Sequence, residues 1–288
     1  MNRVRKVAAI HDLSGIGRCS LTVAIPVISA MGIQVCPLPT AVLSSQTDGY
    51  DNFSFTDFTA NMPNFISNWK ELDLNFDCIY SGFLGSPNQI ELVSDFIDSF
   101  SNKNTIVVVD PVMGDNRKLY SMYDEDMKSK MLELVKKSDV ITPNLTEACF
   151  LLQRPYPDEY LSEEETEEIL ISLSDMGPRK VVVTSIESES HQMLNAAYEQ
   201  DKGMEITRYD IIQDDGYPGS GDMFASIISG GLVQGLSFFE SVANATNFLT
   251  EVIHYTYDLH TPIREGLVFE PLIENIISLP KKRKEKKT

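Results

Sequence analysis

Two kinds of hydrophobic pattern alternate along this chain. Short apolar runs occur at VRKVAAI (4–10), IQVCPLPTAVL (33–43), FDCIYSG (76–82), NTIVVVD (104–110), SDVITPN (138–144) and RKVVVTS (179–185), and they predict strands, covered on both faces where the run is continuous. Between them lie segments of helical character: SLTVAIPVISAMG (20–32), PNQIELVSDFIDSF (87–100), YDEDMKSKMLELVKK (123–137) and SEEETEEILISLSDMG (162–177), the last closed by Gly177-Pro178. DMFASIISGGLVQG (222–235), SFFESVANATNFLTEVIHYTYD (237–258) and a terminal helix near VFEPLIENIIS (268–278) continue the series. Strand and helix in turn predict an α/β fold with a mostly parallel central sheet flanked by helices. Residues 191–211 break the rhythm. Two alternating stretches flank Asp201-Lys202-Gly203, so a hairpin is predicted there as a small antiparallel extension of the sheet.

A length of 288 residues with 42% apolar content suits one large domain, taken as residues 1–280. No formal charge occurs from Cys19 to Thr47, which raises the question of a membrane span. Pro26, Gly32, Gln34, Pro37 and Pro39 favour a buried helix and a covered strand instead, so no membrane partner is expected. The first apolar segment ends at His11 and Asp12, too short for a signal peptide. The net charge of −18 excludes nucleic acid as an expected partner, because phosphate binding rests on Lys and Arg. Six of the 24 basic residues lie in KKRKEKKT (281–288), read as a solvated basic tail. Cys19, Cys36, Cys78 and Cys149 are scattered without a C-x-x-C pair, which suggests neither zinc nor disulfides and fits a reducing cytoplasm. His11, His191, His254 and His260 show no metal-ligand spacing and read as ordinary core or surface histidines.

Polar residues collect where predicted strands end: Asp12 and Ser14, Asp110 and Asp115, Asn144 and Glu147, Thr184 and Ser185. In open α/β sheets the ligand crevice lies along that edge, so a shared site is expected. The glycine pattern SGIGRCS (14–20) has Ser20 where a dinucleotide fingerprint needs its third glycine, and no acidic residue ends the next strand. A nicotinamide site is therefore not expected. No Gly-Lys dipeptide and no G-x-S-x-G elbow occurs, which excludes a Walker-type loop and an α/β-hydrolase nucleophile. The stretch GYPGSGDMFAS (216–226) differs. Gly219, Ser220 and Gly221 lack bulk at the start of a predicted helix, where backbone N–H groups and the helix dipole favour an anion. Asp222 beside them fits a helix cap or a catalytic base, and taken alone this stretch leaves both open.

Read in order, PTAVLSSQTDGY, YSGFLGS, DPVMGD, TPNLTE, VVVTS and GSGD together resemble the ribokinase superfamily, and within it the pyridoxal/pyridoxamine (vitamin B6) kinases, over nearly the whole chain. The resemblance implies a ribokinase-like fold and ATP-dependent phosphorylation of the hydroxymethyl group of pyridoxal, pyridoxamine or pyridoxine. It makes Asp222 the base that takes the hydroxymethyl proton, and Gly219, Ser220 and Gly221 the anion hole. Asp110, Asp115, Asn144, Glu147, Thr184 and Ser185 fall at ATP-binding positions, with Asp110 and Glu147 linked to Mg²⁺, partly through water or phosphate. Asp12, Thr47 and Phe83 fall where the family touches the pyridine ring, alongside Asp222. Several relatives have His where this chain has Gln46, and a small or neutral residue where it has Asp48, so ring preference is where this chain departs. A homodimer is also implied, and K⁺ use is left open. Hydroxymethylpyrimidine kinase shares the fold but commonly has Cys at the base position, and no cysteine follows Cys149 here. The inserted β lid and early Gly-Gly signature of sugar kinases are absent from the pattern. The non-enzymatic alternative is a vitamer-binding protein of the same fold, against which the retained GSGD speaks.

Overall fold

A computed structural model describes residues 3–121, 123–212 and 216–277. The predicted alternation becomes one nine-stranded sheet. Its strands are β1 (Lys6–Ser14), β2 (Gln34–Leu43), β3 (Phe55–Asp57), β4 (Cys78–Ser81), β5 (Ile106–Val109), β8 (Val140–Ile141), β9 (Lys180–Glu187), β10 (Gln192–Glu199) and β11 (Gly203–Asp210), while β6 (Gly114–Asp115) and β7 (Lys118–Leu119) form a separate two-stranded ribbon. The spatial order is β11-β10-β9-β8-β5-β4-β1-β2-β3. Pairing is parallel from β9 through β2 and antiparallel at both margins, where β10–β11 is the predicted hairpin and β3 folds back on β2.

Strand periodicity sorts the core into two halves. Ala8 and Ile10, Ile79, Val107 and Val109, and Val181 and Val183 point to one face. That face is covered by α2 (Met62–Glu71), α3 (Pro87–Phe100), α4 (Glu125–Val135), α5 (Leu145–Leu151) and α6 (Glu163–Ser174). Val7, Cys78 and Tyr80, Val108 and Val182 point to the other, under α1 (Leu21–Ala30), α7 (Ser220–Gln234), α8 (Phe238–Asp258) and α9 (Ile273–Ile277). Side chains alternate across a strand, so every central strand must be apolar at both parities, which is why these runs read as continuous.

The uncharged stretch 19–47 resolves into α1 and β2, and among the described residues no helix is long and apolar enough to cross a membrane. β3, α2, α5 and the β6–β7 ribbon escaped the sequence pattern. The helix expected near 268–278 is a 3₁₀ turn at Glu270–Leu272 followed by the short α9. The basic tail at 281–288 lies outside the described residues.

Candidate active site

From β1 the chain turns to β2 on one side, while β4 pairs on the other side of β1, so the strand order reverses there. Ligands bind outside the strands' carboxyl ends at such a point. Asp12 stands near the end of β1, Phe83 just beyond β4 and Asp110 just beyond β5. The N-terminus of α7 comes down over them: the Tyr80 hydroxyl, from β4, donates to the Asp222 carbonyl at 3.4 Å. A Cβ placed on Gly221 would lie 3.8 Å from Asp110 Oδ2. Gly219 begins α7 with φ 80°, and any side chain there would overlap the Arg18 carbonyl oxygen, so this corner requires glycine. First-turn N–H groups have no intrahelical partner, and although the Ser220 N–H is taken by the Tyr217 carbonyl at 3.2 Å, the Gly219–Gly221 turn keeps the helix N-terminus that favours an anion.

Asp222, in the first turn of α7, turns its carboxylate toward the start of α1 and the end of β1. Its Oδ2 accepts the backbone N–H of Ser20 at 2.7 Å, and its Oδ1 lies 3.6 Å from His11 Nδ1. His11 is wholly buried, stacks edge-on against Tyr80 with ring centroids 4.3 Å apart, and has neither ring nitrogen in a hydrogen bond. Gly82 makes room for that ring, because a Cβ there would collide with it. The expectation that His11 is an ordinary core or surface histidine holds as far as burial goes, and what it did not include is that the ring packs beside the Asp222 carboxylate. Period-two reading of β1 carried the signal, since His11 shares the parity of Val7, the face under α7.

The carboxylates of Asp12, Asp110, Asp222 and Glu147 act on one another electrostatically. Burial pushes Asp110 up to about 8, with the Asp222 charge adding to it. Burial also raises Asp12, aided by Asp222 and opposed by hydrogen bonds from Ser20 and Ser14. Glu147 is raised by burial and by Asp110, against backbone N–H donors from Asn144, Met113 and Gly114. Oxygen ligands with excess negative charge suit a hard cation such as Mg²⁺, which is held by one or two carboxylates plus phosphate and water. Among the described residues no three His, Cys, Asp or Glu side chains form a metal cage by themselves. Asp110, a buried carboxylate just beyond β5, has the oxygen chemistry that such an ion needs. Glu147 is already engaged: Oε1 accepts from Met113 N–H at 2.9 Å and Oε2 from Asn144 N–H at 2.9 Å.

Beyond the end of β8, Asn144 and Glu147 form a reciprocal capping box at the start of α5, and Asn144 Nδ2 donates to the Gly114 carbonyl at 2.9 Å. The N-x-x-E spacing therefore fastens the 113–119 segment to the ends of the central strands. Thr184 lies beside Asn144, its N–H bonded to the Pro143 carbonyl at 2.9 Å, and Ser185 follows with φ 59°. Asp115 is exposed and accepts the Asn116 N–H at 2.7 Å.

On the side assigned to the pyridine ring, Thr47 and Asp48 are exposed and Phe83 is half-buried. Gln46 is buried, with its amide donating to the Arg264 carbonyl at 2.6 Å and its stem packed where Gly17 leaves space. Its visible task is to tie the 44–50 loop to the chain's C-terminal segment.

The phosphomethylpyrimidine kinase family profile matches residues 24–265, most of the chain. The protein belongs to that family. A candidate phosphomethylpyrimidine kinase from Bacteroides thetaiotaomicron superposes with a TM-score of 0.93 at 45% identity, covering 98% of this chain and 96% of that one. An orthorhombic form of that kinase, with pyridoxal, superposes at 0.90 and 46% identity, covering 95% and 96%. A Corynebacterium diphtheriae pyridoxal kinase is 25% identical over 92% of this chain and 93% of its own length. An Arabidopsis thaliana pyridoxal kinase is 27% identical over 70% of this chain, a match that spans 66% of that enzyme. The ribokinase-like fold expected from DPVMGD, TPNLTE and GSGD is the observed fold of this family member.

Proposed function

We propose that this protein transfers the γ-phosphoryl group of ATP to the hydroxymethyl oxygen of a B6 vitamer: pyridoxal, pyridoxamine or pyridoxine. The observation that carries this is the Asp222 carboxylate at the N-terminus of α7, held on one oxygen by the Ser20 N–H and standing beside Gly219–Gly221. Asp222 takes the hydroxymethyl proton as the oxygen attacks the γ-phosphorus. The bond from that phosphorus to the β–γ bridging oxygen breaks, and ADP leaves. The turn of Gly219, Ser220 and Gly221 at the N-terminus of α7 faces the negative charge that spreads over the phosphoryl oxygens. Asp110 would hold Mg²⁺, whose charge offsets that of the phosphates. Asn144, Glu147, Thr184, Ser185 and Asp115 border the nucleotide, and Asp12, Thr47 and Phe83 border the ring. Relatives named pyridoxal kinase and the Bacteroides crystal form with pyridoxal support the vitamer as acceptor.

The family's name favours one rival acceptor, hydroxymethylpyrimidine. An aspartate at the base position favours the vitamer. The test is a panel of the three vitamers, hydroxymethylpyrimidine and ribose with ATP and Mg²⁺, products identified by mass. Phosphorylated vitamer with the highest kcat/KM supports the reading, and phosphorylated pyrimidine alone overturns it. Vitamer binding without any product would make this a silent binding protein. A homodimer in the cytoplasm belongs to the same proposal, and sedimentation of the purified chain tests the dimer.

A further inference from the structure

Ser20 sits between Asp12 and Asp222 and adopts a conformation that serine rarely takes. Its φ of 50° and ψ of −129° lie in the region open to glycine and strained for other residues. It opens α1, and a serine there ordinarily turns its oxygen onto the first-turn N–H groups. Its side chain makes no such bond. The hydroxyl instead donates to Asp12 Oδ1 at 2.5 Å, and the backbone N–H donates to Asp222 Oδ2 at 2.7 Å, 202 residues further along the chain. The positive φ accounts for the second bond, because it turns the peptide N–H away from α1 and toward α7. Ser20 is only 5% exposed, so both bonds act in surroundings of low dielectric, where a charged acceptor makes them strong. A strained residue that spends both donors on site carboxylates and none on its own helix is held there by the needs of the site.

We propose that Ser20 is a positioning residue: it locks Asp12 and Asp222 in one mutual orientation, so that the acceptor's ring and hydroxymethyl group meet them at a fixed separation. The Ser20 N–H occupies Asp222 Oδ2, which leaves Oδ1, on the His11 side, to receive the proton. This assignment rests on the kinase reading above.

Ser20→Gly separates positioning from folding. It keeps the N–H, relaxes the backbone and deletes the hydroxyl, whereas Ser20→Ala deletes the hydroxyl and keeps the strain. Both variants are expected to lower kcat/KM for pyridoxal at least ~10-fold, the scale of one hydrogen bond to a charged group. The KM for Mg-ATP should stay unchanged, and the melting temperature of Ser20→Gly should equal or exceed that of the parent. A kcat/KM within about twofold of the parent, a lower melting temperature for Ser20→Gly, or a raised Mg-ATP KM would each overturn the proposal. The parent is measured alongside. If it proves inactive, the kinase reading fails separately, and pyridoxal affinity by absorbance titration decides: weaker binding by both variants supports Ser20, and unchanged binding overturns it.

Discussion

At Asp222 the cap and the base make different demands on a substitution. An asparagine keeps an oxygen for the Ser20 N–H, so Asp222→Asn should fold and bind Mg-ATP with little change in melting temperature. Loss of the proton acceptor should lower kcat by ~10²–10⁴-fold. Turnover near the parent's, with thermal unfolding and ATP affinity as controls, would leave Asp222 without its catalytic role. Asp110 offers a second test, through pH. Its folded-state value is pushed up to about 8 by burial and by Asp222. The folded chain therefore keeps a proton that the unfolded chain, with an ordinary aspartate, releases above about 4. Stability from this group is fully present below the unfolded value and is lost as pH rises through the folded one. Asp110→Asn removes the dependence, so its melting temperature should gain on the parent's between pH 5 and pH 8. A constant difference across that window would mean that Asp110 is ionised throughout. Among single residues, Asp12, Asp110 and Asp222 were legible because carboxylates at strand ends and after glycines are conspicuous. His11 and Ser20 were not, because their significance lies in partners remote in sequence.

The element that most clearly joins fold to site is α5. It has only seven residues and is held by its capping box and by burial of Leu145, Ala148, Cys149 and Leu151. Asn144→Ala should remove the Glu147 N–H acceptor and the bond to the Gly114 carbonyl together, lowering stability by about 1–2 kcal/mol and weakening Mg-ATP binding. Asn144→Asp keeps the cap and should recover most of the stability. Equal losses in both variants, measured by chemical denaturation, would argue that the Gly114 bond and not the cap is what matters. Long elements with clear periodicity, such as α3, α6 and α8, were predictable from the chain. Short ones were not: α5 and the β6–β7 ribbon carry too few residues to show a period, and the three exposed residues of β3 have no buried side to mark.

For the molecule as a whole, a net charge of −18 sets acidic groups against one another when the chain is compact. Raising salt from 10 mM to 150 mM shortens the screening length from about 30 Å to about 8 Å, and the melting temperature should rise by a few degrees. A fall would indicate that ion pairs such as Arg18–Glu270 and Lys137–Asp98 outweigh the general repulsion. The sequence by itself determined the α/β class, the parallel centre, the hairpin at the sheet's margin and the family, because periodicity and contiguous motifs are local properties of a chain. The stretch around Asp222 taken alone left cap and base open, and only the resemblance carried by the other motifs favoured the base. Strand order, the assembly of β1, β4, β5 and α7 around one carboxylate, the Ser20 bond to Asp222 and the packing of His11 beside it were decided only by tertiary structure. Those contacts join residues some two hundred positions apart, and the spacing along the chain carries no record of which distant groups packing will bring within 3 or 4 Å of each other.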